Sequence, residues 1–131
     1  MAEGGCHCGS IRYEVDLTEA RHGLCHCTDC RRAVGAPAVA WAMITHSQIK
    51  ITGQTSVYAS SPDAQRHFCP QCGTSLFYVS EANLPGMIDV QSATLDDPEA
   101  LPLQAQIQTA ERLSWMAHLD RLPSFERFPP A

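Results

Sequence analysis

From Ser10 to Asp16 the chain alternates, with Ile11, Tyr13 and Val15 on one side and Arg12, Glu14 and Asp16 on the other. A period of two predicts a strand with one buried face. Val39 to Ile44 reads as a buried strand around Trp41. Ile49 and Ile51 flank Lys50, and Gly53-Gln54 makes a turn before a strand from Thr55 to Ala59. Gln65 to Phe68 is a short strand running into Cys69. Two more strands, Ser75 to Val79 and Met87 to Gln91, are parted by a Pro85-Gly86 turn. Thr28 to Val34 predicts one or two helical turns with Thr28 as the cap. Thr94 to Pro102 is loop, Gln104 to Gln108 extended, and Glu111 to His118 a short helix. Pro123, Pro129 and Pro130 keep the tail from 122 to 131 irregular. The expected core is Ile11, Tyr13, Val15, Val39, Trp41, Ile49, Ile51, Phe77, Val79, Ile88 and Val90. Many short strands with frequent turns point to a mostly β fold of short antiparallel strands with minor helical turns.

A length of 131 residues, without repeat or linker, predicts one domain over 1–131. The net charge of −5 offers no electrostatic footprint for a phosphate backbone, so no nucleic-acid partner is expected. The least polar stretch, Ala33 to Ile44, is 12 residues long and contains Gly35 and Pro37. It is too short to span a bilayer, so no membrane partner is expected. Met1 to Gly5 has neither a basic nor an apolar leader region, and a cytoplasmic location is expected.

The cysteines carry the chemistry. There are seven, an odd number, which rules out complete disulfide pairing within one chain. All are clustered: Cys6 and Cys8; Cys25, Cys27 and Cys30; Cys69 and Cys72. Clustered thiols in a reducing compartment point to metal. Cys69-Pro70-Gln71-Cys72-Gly73 has the form of a zinc knuckle, in which Gly73 supplies the permissive backbone that lets N–H groups approach the sulfurs. A C-x-x-C also serves thioredoxin-like redox sites, but their βαβ context is absent here. Cys6 and Cys8 lie two apart on an extended segment, so both thiolates face one side and His7 the other. The two pairs make a closed four-thiolate site, the structural type. Cys25, Cys27 and Cys30 form a three-thiolate set with an open fourth position, the catalytic type. A redox pair plus a third thiol is the other reading of that set. His26, between two of these cysteines, is expected to face away in a hydrogen-bonded packing role.

The order C-x-C-G, C-H-C-x-x-C-R, C-x-x-C-G resembles the glutathione-dependent formaldehyde-activating enzyme family, which includes centromere protein V relatives. Gly5, Tyr13, Arg31 and Phe68 flank the cysteines as in that family. Asp89-Val90, Thr94 to Pro98, and Trp115 through Asp120 and Leu122-Pro123 to Phe125 extend the resemblance to nearly the whole chain. It implies a small zinc-stabilised β-tent fold, shared with a zinc-binding nucleotide-exchange chaperone. It also implies a structural zinc at Cys6, Cys8, Cys69 and Cys72 and a catalytic zinc at Cys25, Cys27 and Cys30. The implied reaction is that of a carbon–sulfur lyase on a small thiol adduct, such as S-hydroxymethylglutathione formed from glutathione and formaldehyde. Arg31, Arg32, Arg66 and Arg112 are the candidate partners for the carboxylates of glutathione. One stretch departs from the family: Gln106-Ile107-Gln108-Thr109 stands where many members have His-Ile-aromatic, and if it lines the pocket the substrate differs. The alternative function is a non-catalytic zinc-stabilised binding module of the same fold. The natural thiol, the occupancy of the second site and the oligomeric state are left open by the sequence.

Overall fold

The computed structural model describes residues 1–130. In chain order it contains β1 (Ala2–Gly5), β2 (Arg12–Val15), β3 (Arg21–Cys25), α1 (Thr28–Val34), β4 (Val39–Thr45), β5 (Ile49–Thr52) and β6 (Ser56–Ser61). There follow β7 (Ala64–Phe68), β8 (Ser75–Val79), β9 (Met87–Gln91) and β10 (Ala105–Ile107). β1, β2 and β5 form a small antiparallel sheet. The other seven strands form a large one in the order β10-β3-β4-β9-β8-β7-β6. All its pairs are antiparallel except β10 with β3, where Ile107 lies beside Cys25.

The main core fills the space between the sheets. Ile11, Tyr13 and Val15, on alternate positions of the β2 segment, pack with Ile44, Leu76, Phe77, Ile88 and Val90 of the large sheet. The Tyr13 and Phe77 rings meet edge to face, with centroids 5.5 Å apart. The Tyr13 hydroxyl bonds Thr94 Oγ1 at 2.7 Å directly over Gly4. A Cβ on Gly4 would lie 2.5 Å from Tyr13 Cζ and 2.6 Å from the Thr94 carbonyl, so this position requires glycine.

The predicted strands from β2 to β9 form, with ends shifted by a residue or two. Four readings need correction. Ile51 is 39% exposed, because it lies on β5, an edge strand of the small sheet. The cap of α1 is Cys27, not Thr28: its Sγ accepts the Cys30 N–H. The Glu111 to His118 helix is two 3₁₀ segments, Thr109–Glu111 and Ser114–Arg121, which close i→i+3 bonds such as Met116 N–H to the Leu113 carbonyl at 3.0 Å. Strands β1 and β3 form where no strand was predicted. The tail from 122 to 130 is irregular, as expected; Ala131 lies outside the described residues. No helix among the described residues is long and apolar enough to cross a membrane.

Candidate functional site

The fold brings the cysteines into two separate clusters, Cys6–Cys8–Cys69–Cys72 and Cys25–Cys27–Cys30, and within each the sulfurs lie within 4.8 Å of one another. Either cluster could hold a metal ion.

The four-cysteine cluster joins the β1–β2 turn to the β7–β8 turn. Cys6 and Cys69 are buried, while Cys8 and Cys72 are exposed. Sulfurs around a tetrahedral zinc, bonded at about 2.3 Å, lie about 3.8 Å apart. The Cys6–Cys8 and Cys8–Cys69 separations are 3.6 and 3.8 Å. The donors around the sulfurs suit anions. The Ile11 N–H reaches Cys6 Sγ at 3.2 Å, and the Gln71 and Cys72 N–H groups reach Cys69 Sγ at 3.3 and 3.4 Å. Gly73, at φ +81°, turns the chain so that this knuckle closes. Burial opposes charge on Cys6, but the Ile11 N–H, the Ser10 hydroxyl and the neighbouring thiols outweigh it and hold Cys6 at about 7. The Thr74 hydroxyl does most to draw Cys72 down to about 5. The residues therefore fit a closed zinc site. His7 is exposed, and its backbone N–H bonds Thr74 Oγ1 at 3.1 Å.

The three-cysteine cluster lies on the opposite face of the large sheet. Cys25 ends β3, Cys27 caps α1, and Cys30 sits in the first turn of α1, where the helix folds it back against Cys25, Val39 and Trp41. Three sulfurs from one hexapeptide leave one side of the set without a protein donor, the arrangement that fits an open zinc site. The thiol of Cys25, shared toward Cys30, does most to hold Cys30 down to about 5. Burial opposes this, and Cys27 and the Arg66 guanidinium assist. The same bond to Cys30, with burial, pushes Cys25 up.

Strand register extends this face into a row of side chains: Trp41 in the apolar cluster around the three cysteines, Asp89 beside Met43, Tyr78 beside Asp89, and Arg66 beside Tyr78. Arg66 is buried at 6% exposure. Both its terminal nitrogens lie 3.7 Å from Cys30 Sγ, its Nε donates to Ser60 Oγ at 3.2 Å, and its guanidinium lies 4.9 Å over the Tyr78 ring. The ion pairs found among the described residues are Arg12–Asp96 and His46–Glu81, so Arg66 has no carboxylate partner. A buried cation without a carboxylate requires another anion, and Cys30 is the group it faces. Burial pushes the Asp89 carboxyl up to about 7, the Cys30 thiolate adds to the rise, and Arg66 opposes it.

A cavity of about 350 Å³ opens beside this row, walled by Trp41, Met43, Leu84, Ala105 and Ile107, with Arg21 and Asp89 as its charged residues. Its wall includes Gly23, two residues before Cys25, and Ile107, the register partner of Cys25. His26 is buried, and its Nε2 lies 2.9 Å from Gln106 Oε1. It holds β10 against β3, the expected packing role, while its Nδ1 has no partner.

Among the arginines considered for substrate, the structure brings Arg66 to the cysteines. Arg31 bonds Thr28 Oγ1 at 3.4 Å, and Arg32 and Arg112 are exposed. Asp89 and Tyr78 emerge only from the register; no spacing in the sequence links them to Cys30.

A family model described as glutathione-dependent formaldehyde-activating enzyme matches residues 1–111. An uncharacterized lyase of Schizosaccharomyces pombe is 33% identical over 76 residues, 58% of this chain and 56% of that protein. The chain thus spans little more than half the length of that relative. A Halomonas elongata protein named for the same family is 24% identical over 126 residues, 88% of this chain and 80% of its own length. A crystal structure of a Rhodobacter sphaeroides protein superposes with a TM-score of 0.58 at 25% identity, covering 79% of this chain and 98% of that one.

Proposed function

We propose that this chain, which belongs to the glutathione-dependent formaldehyde-activating enzyme family, is a zinc-dependent carbon–sulfur lyase for small thiol adducts of the S-hydroxymethylglutathione type. The carrying observation is the second cysteine cluster, whose three sulfurs come from one short segment instead of tying distant segments together, with a cavity lined by neighbouring residues of β3, β4, β9 and β10. In this reading the chain works as one domain over 1–131 in the cytoplasm. Cys6, Cys8, Cys69 and Cys72 hold a structural zinc, and Cys25, Cys27 and Cys30 hold a catalytic one.

In the lyase direction the carbon–sulfur bond of the adduct breaks and the sulfur keeps the electron pair. The hydroxyl proton leaves as the carbonyl forms, and no electrons are exchanged with a cofactor. Zinc at the three thiolates would supply positive charge and an open coordination position at the breaking bond. Arg66 offsets the charge of the thiolates. Asp89, with its carboxyl held near 7, takes the hydroxyl proton at a carboxylate oxygen and returns it in the forward direction. Trp41 and Ile107 hold the body of the adduct, so that the reacting atoms meet in one orientation.

A non-catalytic binding module accounts for the four-cysteine cluster but leaves the open triad without a role. Magnetisation-exchange NMR on zinc-loaded protein separates the two readings. The lyase should speed exchange between free formaldehyde and S-hydroxymethylglutathione in proportion to enzyme concentration. Exchange at the uncatalysed rate would leave only the binding module.

A further inference from the structure

We infer, on the lyase reading above, that this site takes adducts of a thiol whose body is uncharged and apolar, in preference to those of glutathione. Three observations converge on this.

The first is the cation inventory. Glutathione carries two carboxylates, and buried carboxylates need charged hydrogen-bond partners. Arg66 is buried, with each of its three nitrogens already bonded to Cys30 or Ser60 and its face over the Tyr78 ring. Arg12 is tied to Asp96 on the small sheet. Arg21 is the one arginine in the cavity wall, and the wall contains no lysine.

The second is the wall itself. Trp41, Met43, Leu84, Ala105 and Ile107 present carbon, which rewards an apolar body by desolvation. Asp89 stands on the same wall, where its carboxylate form repels an anionic ligand and its protonated form offers one neutral bond.

The third is β10. Its parallel pairing with β3 sets Ile107 beside Cys25 and turns Gln106 toward His26, so that Ile107 and not Gln106 lines the cavity. Ile107 belongs to the stretch Gln106-Ile107-Gln108-Thr109, in which this chain departs from the family pattern.

The covalent step is unchanged: the thiol sulfur adds to the formaldehyde carbon, its proton passes to the carbonyl oxygen, and the reverse step restores both. Only the binding of the thiol body differs.

The test compares phenylmethanethiol with glutathione on the zinc-loaded full chain, each with formaldehyde, by exchange NMR at subsaturating thiol. Catalytic efficiency should favour phenylmethanethiol by at least about tenfold, the scale of one or two well-filled apolar contacts. Ile107→Lys should narrow or reverse that ratio by adding a cation at the wall. Binding is read separately in a Trp115→Phe background, where Trp41 is the remaining tryptophan. There phenylmethanethiol should change the fluorescence saturably at lower concentration than glutathione. Equal or greater efficiency and binding with glutathione would overturn this inference while the lyase reading stands. No acceleration with either thiol would overturn both.

Discussion

Arg66→Met removes the one cation that faces Cys30 while keeping an unbranched apolar stem. With the guanidinium nitrogens 3.7 Å from the sulfur, the attraction at an effective dielectric of 20 is about 4 kcal/mol. That is a ceiling, because burying the guanidinium gives part of it back. Three thiolates and Zn²⁺ carry a net −1, which Arg66 brings to zero. Losing it leaves a buried anion beside Trp41, and zinc should bind the triad about 10- to 100-fold more weakly, as for other groups that support metal ligands from behind. That corresponds to about 1.4 to 2.8 kcal/mol, inside the ceiling. The assay is zinc competition against a chromophoric chelator, resolved into two steps. The four-cysteine cluster is the internal control, since Arg66 makes no hydrogen bond to it. Arg66→Lys keeps the charge and should recover most of the affinity, which separates charge from packing. Unchanged affinity of the weaker step in Arg66→Met, with native near-UV circular dichroism, would refute the counter-charge argument. Equal weakening of both steps would refute its locality.

Cys69→Ser should collapse the fold, since Cys69 is fully buried and its cluster ties segments 61 residues apart. A well-folded, zinc-free variant with an unchanged melting temperature would contradict the structural role. Asp89→Asn should gain stability over the wild type as pH rises from the ordinary carboxylate value of 3.8 to about 7, and the gain should level off above that. The folded carboxyl holds its proton to about 7, the unfolded one releases it near the ordinary value, and the stability carried by the proton is lost as pH rises from the unfolded value through the folded one. Urea denaturation across that range should show a growing difference; a constant one would mean that Asp89 titrates as an exposed acid.

The period-two faces made the core legible. Ile11, Tyr13 and Val15 read as buried from alternation alone and are. Ile51 obeys the same pattern and is exposed, because alternation tells which side a residue faces and not whether another layer covers it. β3 was hidden for the opposite reason: Arg21, His22 and Gly23 break the alternation, and the strand forms because β4 and β10 pair on either side of it. The cysteine clusters were legible from spacing, since Cys6 with Cys8 and Cys69 with Cys72 each present two sulfurs locally. Arg66, Tyr78 and Asp89 were not legible as a group. They come together across three strands, and cross-strand register is a long-range property that no local spacing encodes.

The central claim is that the three-cysteine cluster is the catalytic metal site, and Cys27→Ser tests it most directly. Cys27 Sγ caps α1 by accepting the Cys30 N–H at 3.2 Å, and a serine oxygen can cap in its place. The variant should therefore keep its fold while losing a thiolate ligand. Zinc content, melting temperature and formaldehyde–thiol exchange are measured on one sample. The account predicts a fall from two zinc ions per chain to one, a small change in melting temperature and exchange at the uncatalysed rate. Two zinc ions retained, or full exchange activity with one, would contradict it.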